Sequence, residues 1–190
     1  MGTSKIEAEE GRRLMPRALL GRFLRDRKGV AAIEFAALAI PFFLLLFAIL
    51  ESCVAFAAQQ VMANATFDIA RQVRTGQLRP DDLKEDKLRE RLCARMSVFV
   101  SANCLEELEV DLRAYDTFEE AAKLRIKYTP GGDIDTSDFR VEPGDALSKN
   151  MLRVFYRWPV MTDFMRKSMS NLPDGKTLLF STTAWQNEPY

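Results

Sequence analysis

The sequence predicts an α+β protein with one long N-terminal helix, a second helix and a small antiparallel sheet. Three observations carry this prediction. Residues 30–50 read VAAIEFAALAIPFFLLLFAIL, an almost unbroken apolar run in which Glu34 is the only ionisable side chain. The following residues keep apolar side chains three and four apart, as an amphipathic helix does. Three later segments, near 108–112, 151–161 and 176–186, alternate or cluster aliphatic, aromatic and β-branched residues as strands do.

The first element is a basic tail. With 190 residues the chain has room for one domain and a tail. Its charge balances, 27 basic against 27 acidic residues, which argues against a dedicated nucleic-acid binder. Locally the balance fails. Arg12, Arg13, Arg17, Arg22, Arg25, Arg27 and Lys28 face only Asp26 between positions 11 and 29.

The apolar run of 21 residues comes next. As a helix it would be about 31 Å long, matching the roughly 30 Å hydrocarbon core of a bilayer. Its basic flank predicts that residues 1–29 stay in the cytoplasm, that 30–50 span the membrane, and that 51–190 are exported. Two other readings remain: a buried core helix, or a secretory signal cut near Ala55-Phe56-Ala57. The run is longer than the apolar region of an ordinary signal peptide.

Beyond Glu51, the positions Val54, Ala57, Ala58, Val61, Met62, Ala65, Ile69 and Val73 continue the helix along one face. Arg71 and Arg74 suit its last turns, and Gly76 is a plausible terminator. Unbroken, it would run close to 70 Å at about 1.5 Å per residue. A second helix is expected over about 81–101, capped by Asp81 or Asp82, with Leu83, Leu88, Leu92, Met96 and Phe99 apolar and Asn103 at its end. In the first strand Leu108, Val110 and Leu112 alternate with Glu109, Asp111 and Arg113, predicting one buried face and one wet face. A short helix near 117–124 and a Gly/Asp-rich loop from about 129 to 149 complete the pass, with three or four strands in all.

The residue inventory narrows the chemistry. There is no histidine, which removes the commonest general base and metal ligand. Gly131 to Asp138 hints at a calcium loop, but counting from Asp133 the sixth and twelfth positions are Asp138 and Gly144, where an EF-hand needs Gly and Glu. A solvated turn is the better reading. No cofactor, metal or enzymatic motif is expected. Cys93 and Cys104 flank the end of the second helix, and an exported domain permits a disulfide between them. Cys53 is read as packing. Tyr156, Trp158 and Trp185 are read as core rather than as a binding surface.

Glu34 needs a reason. Translocon scales put an acid at a helix centre at about +2.5 to +3.5 kcal/mol, and less near the ends. It either reaches back to the headgroups or Lys28, or meets the α-amino group that a cut after Gly29 would leave on Val30. A buried ion pair of that second kind breaks even only with good geometry, but would set the register between packed helices. Pro41, mid-span, lacks a backbone donor and reads either as a functional kink or as a simple bend.

The run Arg27-Lys28-Gly29-Val30-Ala31-Ala32-Ile33-Glu34-Phe35 resembles the processing site of type IV pilin-like proteins. Counting Val30 as the first mature residue, Glu34 is the fifth. The wording GVAAIEFAALAIPFFLLLFAILE resembles the TadE-like pseudopilins of tight-adherence (Tad, or Flp) pilus systems, with Gly29, Glu34, Phe35, Ala36, Pro41 and Glu51 where that family has them. The resemblance is close over about residues 27–75 and looser beyond.

It implies a pilin-like long helix and a minor pilin subunit, cleaved between Gly29 and Val30, that helps assemble a Tad-type pilus for surface adhesion. Implied partners are other pilin and pseudopilin subunits, a prepilin peptidase, the inner-membrane assembly platform and the lipid bilayer, and no nucleic acid. The implied location is a bacterial inner membrane with the C-terminal domain periplasmic, and from there the fibre. The competing reading is an uncleaved, membrane-anchored periplasmic binding or sensing module.

Overall fold

A computed structural model describes residues 29–80, 83–100 and 103–189. The chain divides into two units, Met1–Leu46 and Phe47–Tyr190. Helix α1, Val30–Arg74, is continuous over 45 residues. In the first unit its apolar side chains are exposed. In the second, Glu51, Ala55, Ala58, Met62, Ala65, Ile69 and Val73 recur on one face and are buried. The small residues on that face let the helix backbone approach what it covers.

The helix stops where expected. Gly76 takes φ 72°, a left-handed conformation that side chains resist, and its N–H bonds the carbonyl of Val73. Helix α2 covers Glu85–Met96, shorter than the 81–101 predicted. Asp81 and Asp82 lie outside the described residues, and the residue before the helix, Lys84, makes no side-chain cap. Asn103 does not close α2; it precedes the one-turn helix α3, Cys104–Glu107.

The sheet follows: β1 Leu108–Tyr115, the short helix α4 Phe118–Lys123, then β2 Val141–Glu142, β3 Lys149–Pro159, the helix α5 Asp163–Met169, and β4 Lys176–Gln186. Its order is β2-β1-β3-β4. The three long strands are antiparallel, with Leu112 opposite Leu152 and Tyr156 opposite Leu179. The fourth strand corrects the expected all-antiparallel sheet, because β2 pairs parallel to β1. Neither β2 nor α5 was foreseen. Both are too short to print a period on the sequence.

One sheet face packs on the helices. Leu108, Val110, Leu112, Leu152, Val154, Tyr156, Trp158 and Trp185 share a core with the buried face of α1 and with Leu88, Leu92 and Met96 of α2. The three aromatics are therefore core, as read. Gln59 of α1 also donates to the carbonyl of Phe180 on β4 at 2.7 Å, covering part of an open sheet edge.

The second face of β1 was expected to be wet, yet Asp111 on it is buried and Glu109 and Arg113 are half-buried. Ile134, Phe155, Leu172 and Leu178 form a second buried cluster, joined by Ile126 and Phe139. The Gly/Asp-rich segment folds back over β1 and β3 through Ile134 and Phe139, while Gly131, Gly132, Ser137 and Asp138 stay exposed. Asp111, on the supposedly wet side of β1, is 1% exposed. Arg153, its register partner on β3, donates to it through Nε at 3.0 Å and through an NH2 nitrogen at 2.6 Å. The guanidinium also lies over Phe139 and Phe155, 5.3 and 5.7 Å from the ring centroids. A charge buried this deeply needs its partner.

Candidate functional site

The segment to which the sequence reading assigned processing and packing begins at Gly29. Helix α1 starts at the next residue, Val30, and both are exposed. A Cβ built on Gly29 meets nothing within 4 Å, and its φ is not among the positive ones. The fold therefore makes no steric demand for glycine here.

From Val30 to Phe47 every residue except Ala39 is exposed, including Ile33, Phe35, Leu38, Phe42 and Phe43. The helix is long and apolar enough to cross a membrane, and none of its most apolar window is buried. A contiguous surface of this kind marks a membrane or protein contact. Glu34 stands on it and makes no hydrogen bond or ion pair among the described residues. Lys28, one of its suggested partners, lies outside them. The helix continues through Pro41, which has no N–H to give to the carbonyl of Ala37.

At the other end of the apolar run stands Glu51, only 7% exposed. Its Oε1 accepts the N–H of Met161 at 2.5 Å and that of Thr162 at 3.2 Å. Its Oε2 accepts the Thr162 hydroxyl. Thr162 immediately precedes α5 and supplies no side-chain cap of its own, so the carboxylate reaches the start of that helix from α1. One turn of α1 is thereby tied to the entry of α5. Ser52 lies against its exit, with Oγ 3.9 Å from Sδ of Met169.

Residues 29–71 match the family model of TadE-like proteins. The TadE-like segment thus opens on Gly29, contains Val30, Glu34, Phe35, Pro41 and Glu51, and ends three residues short of the α1 terminus. The family is a structural, non-enzymatic kind of protein associated with Tad pili. No curated protein and no solved structure matches the chain.

The remaining signals, Cys53 apart, fall outside the TadE-like segment. Cys93 and Cys104 form a disulfide with Cα atoms 5.9 Å apart, joining α2 to α3, and Cys53 is free and exposed, not packed. Among the described residues, no group of three or more His, Cys, Asp or Glu is placed to hold a metal. Asp133 of the rejected calcium loop pairs with Arg157 at 3.3 Å. Asp138 pairs with Lys127, which holds its carboxyl below the usual range. An open hollow of about 420 Å³ lies over the second sheet face, between Leu124, Ile126, Met151, Phe155 and Phe180, with Arg125 also lining it.

Sequence reasoning placed Glu51 in the motif but missed what it holds. A lone acid closing an apolar run was the available signal. Its partners are 110 residues away, in a segment with no pattern of its own.

Proposed function

We propose that the chain is a minor pilin-like subunit taking part in assembly of a Tad-type pilus. In this reading it is inserted with its basic tail in the cytoplasm and its C-terminal unit in the periplasm, and a prepilin peptidase cuts it after Gly29. The observation that carries the reading is where the family match falls. The TadE-like match covers Gly29 to Arg71, and over its first half the matched helix leaves an apolar surface bare. That surface needs lipid before assembly and other helices after it, which is the requirement a pilin meets.

Cleavage would leave an α-amino group on Val30 about one helical turn from Glu34. Carboxylate and amine, in one chain or between neighbours, would then satisfy each other where neither has water. Subunits in the wrong register would bury both charges unpaired, at a cost of several kcal/mol per ion. Glu34 is thus a specificity device more than a source of stability.

The test is the intact mass of the membrane-extracted protein from hosts with and without a prepilin peptidase. A peptidase-dependent N-terminus at Val30 is the expected result. A full-length chain in both hosts would favour the uncleaved binding or sensing module, for which the hollow beside Phe180 is the natural site to probe. A peptidase-independent cut near Ala57 would indicate ordinary secretion.

A further inference from the structure

We propose that α5 and the turn before it form a membrane-interface foot, lying in the headgroup layer of an anionic lipid surface where α1 leaves the bilayer. The inference rests on the reading that residues 30–50 span a membrane.

The placement comes from Glu51. It directly follows Leu50, the last residue of the apolar run, and its carboxylate holds the backbone of Met161 and Thr162. At the other end of α5, Met169 touches Ser52. The short helix is therefore fixed against the turn of α1 at which the apolar run ends. Phe47, Ile49 and Leu50 are exposed on that last turn.

The composition of the foot suits an interface. No residue of α5 is buried. Met165 and Met169 are half-buried, whereas Met161 and Phe164 are 66% and 62% exposed. Two large apolar side chains stand bare beside the end of a membrane span, so lipid is the cover already at hand. An aromatic ring at this depth is what interfacial belts and amphipathic interfacial helices present. Lys167 sits three residues after Phe164, on the same side of the helix, and makes no ion pair among the described residues. Arg166, by contrast, is paired with Asp163 at 2.9 Å. A lysine stem can lie along apolar surface while its ammonium reaches a phosphate. Charge complementarity thus selects anionic headgroups.

The test uses the full chain in lipid nanodiscs, in a Cys53→Ser background that leaves the Cys93–Cys104 disulfide intact. Single spin labels are placed at Phe164→Cys, at Phe67→Cys and at Leu45→Cys. Phe67 is exposed on α1, about 24 Å beyond Glu51 along the helix. Collisions with oxygen and with a water-soluble nickel chelate report depth. The expected oxygen-to-nickel ratio at 164 is about threefold or more above that at 67. Exchanging zwitterionic for phosphatidylglycerol-containing lipid should raise it further, and Lys167→Gln should remove that increment.

A ratio at 164 equal to that at 67, with 45 shielded from nickel, overturns the foot and leaves the spanning helix standing. Nickel-accessible labels at both 45 and 164 would remove the membrane reading itself. Low collision rates with both reagents at 164 would mark a protein neighbour and overturn the lipid assignment. Insensitivity to lipid charge would overturn the role given to Lys167.

Discussion

Glu51 and Thr162 are joined twice: one carboxylate oxygen accepts the threonine N–H and the other its hydroxyl. The contact connects the end of the apolar run to the start of α5, across a sequence separation of 111 residues. Removing the acceptor strands the Met161 and Thr162 donors in a half-buried place. Glu51→Ala should cost about 1–3 kcal/mol and speed amide exchange over residues 160–169. Glu51→Gln keeps an acceptor and should cost less. Exchange in that segment unchanged by Glu51→Ala would show that α5 is held by something else.

The Asp111–Arg153 pair is the deepest charge contact on the second sheet face. Asp111→Ala leaves Arg153 without its carboxylate between Phe139 and Phe155. Such single truncations cost about 3–5 kcal/mol. Replacing both together, Asp111→Leu with Arg153→Met, removes the charge left between the rings, while Arg113, which also pairs with Asp111 at 2.8 Å, still loses its carboxylate. The double variant should therefore be more stable than Asp111→Ala, as chemical denaturation can show. Additive losses would mean that the two residues do not act as a unit.

Reduction of the Cys93–Cys104 bridge frees the denatured chain from a loop of 11 residues' separation. The chain-entropy account puts the loss at about 3 kcal/mol. A Cys93→Ala, Cys104→Ala variant should lose a similar amount, with a midpoint that no longer responds to reductant. The intact mass should rise by two hydrogens on reduction of the native chain.

Tyr115 has a buried hydroxyl with no hydrogen-bond partner among the described residues. Burial pushes its pKa above the ordinary tyrosine value, against the opposing pull of Arg113. The folded state thus holds this proton longer than the unfolded chain does. Stability should be flat in this respect below the unfolded value near 10 and fall as pH rises beyond it. Tyr115→Phe should remove that alkaline loss and stabilise the domain by about 1 kcal/mol. Phenolate absorbance, compared with and without Tyr115, gives the titration directly.

Under the proposed function, substitutions at Gly29 and Glu34 should affect processing and assembly and leave folding intact. Because a Cβ at Gly29 meets nothing, Gly29→Ala should leave membrane insertion and domain stability unchanged, and any effect should appear in cleavage. Glu34→Leu should insert at least as well, since an acid inside the apolar run is lost, yet fail to enter the fibre. Pilus assembly that tolerates Glu34→Leu would refute the register role.

Much of this protein could be read from the order of its residues alone. The 21-residue apolar run, the amphipathic pattern from Val54 to Val73, the stop at Gly76 and the strand at 176–186 each repeat a short local rule. Periodicity and turn chemistry act within a few residues, so they are visible without a fold. The Gly29-to-Glu34 spacing is local in the same sense. The Cys93–Cys104 pair was legible because its two halves sit at one helix end.

Tertiary structure decided the contacts made at long range. The alternation in β1 marked Asp111 as a wet-face residue, but a segment without periodicity closes over it and delivers the backbone N–H of Arg140 to its carboxylate at 3.2 Å. Glu51 read as the last letter of a motif, and only the return of the chain after β3 supplies Met161 and Thr162. Burial of a charged group depends on what arrives from far along the chain, and its stability depends on whether that arrival brings donors.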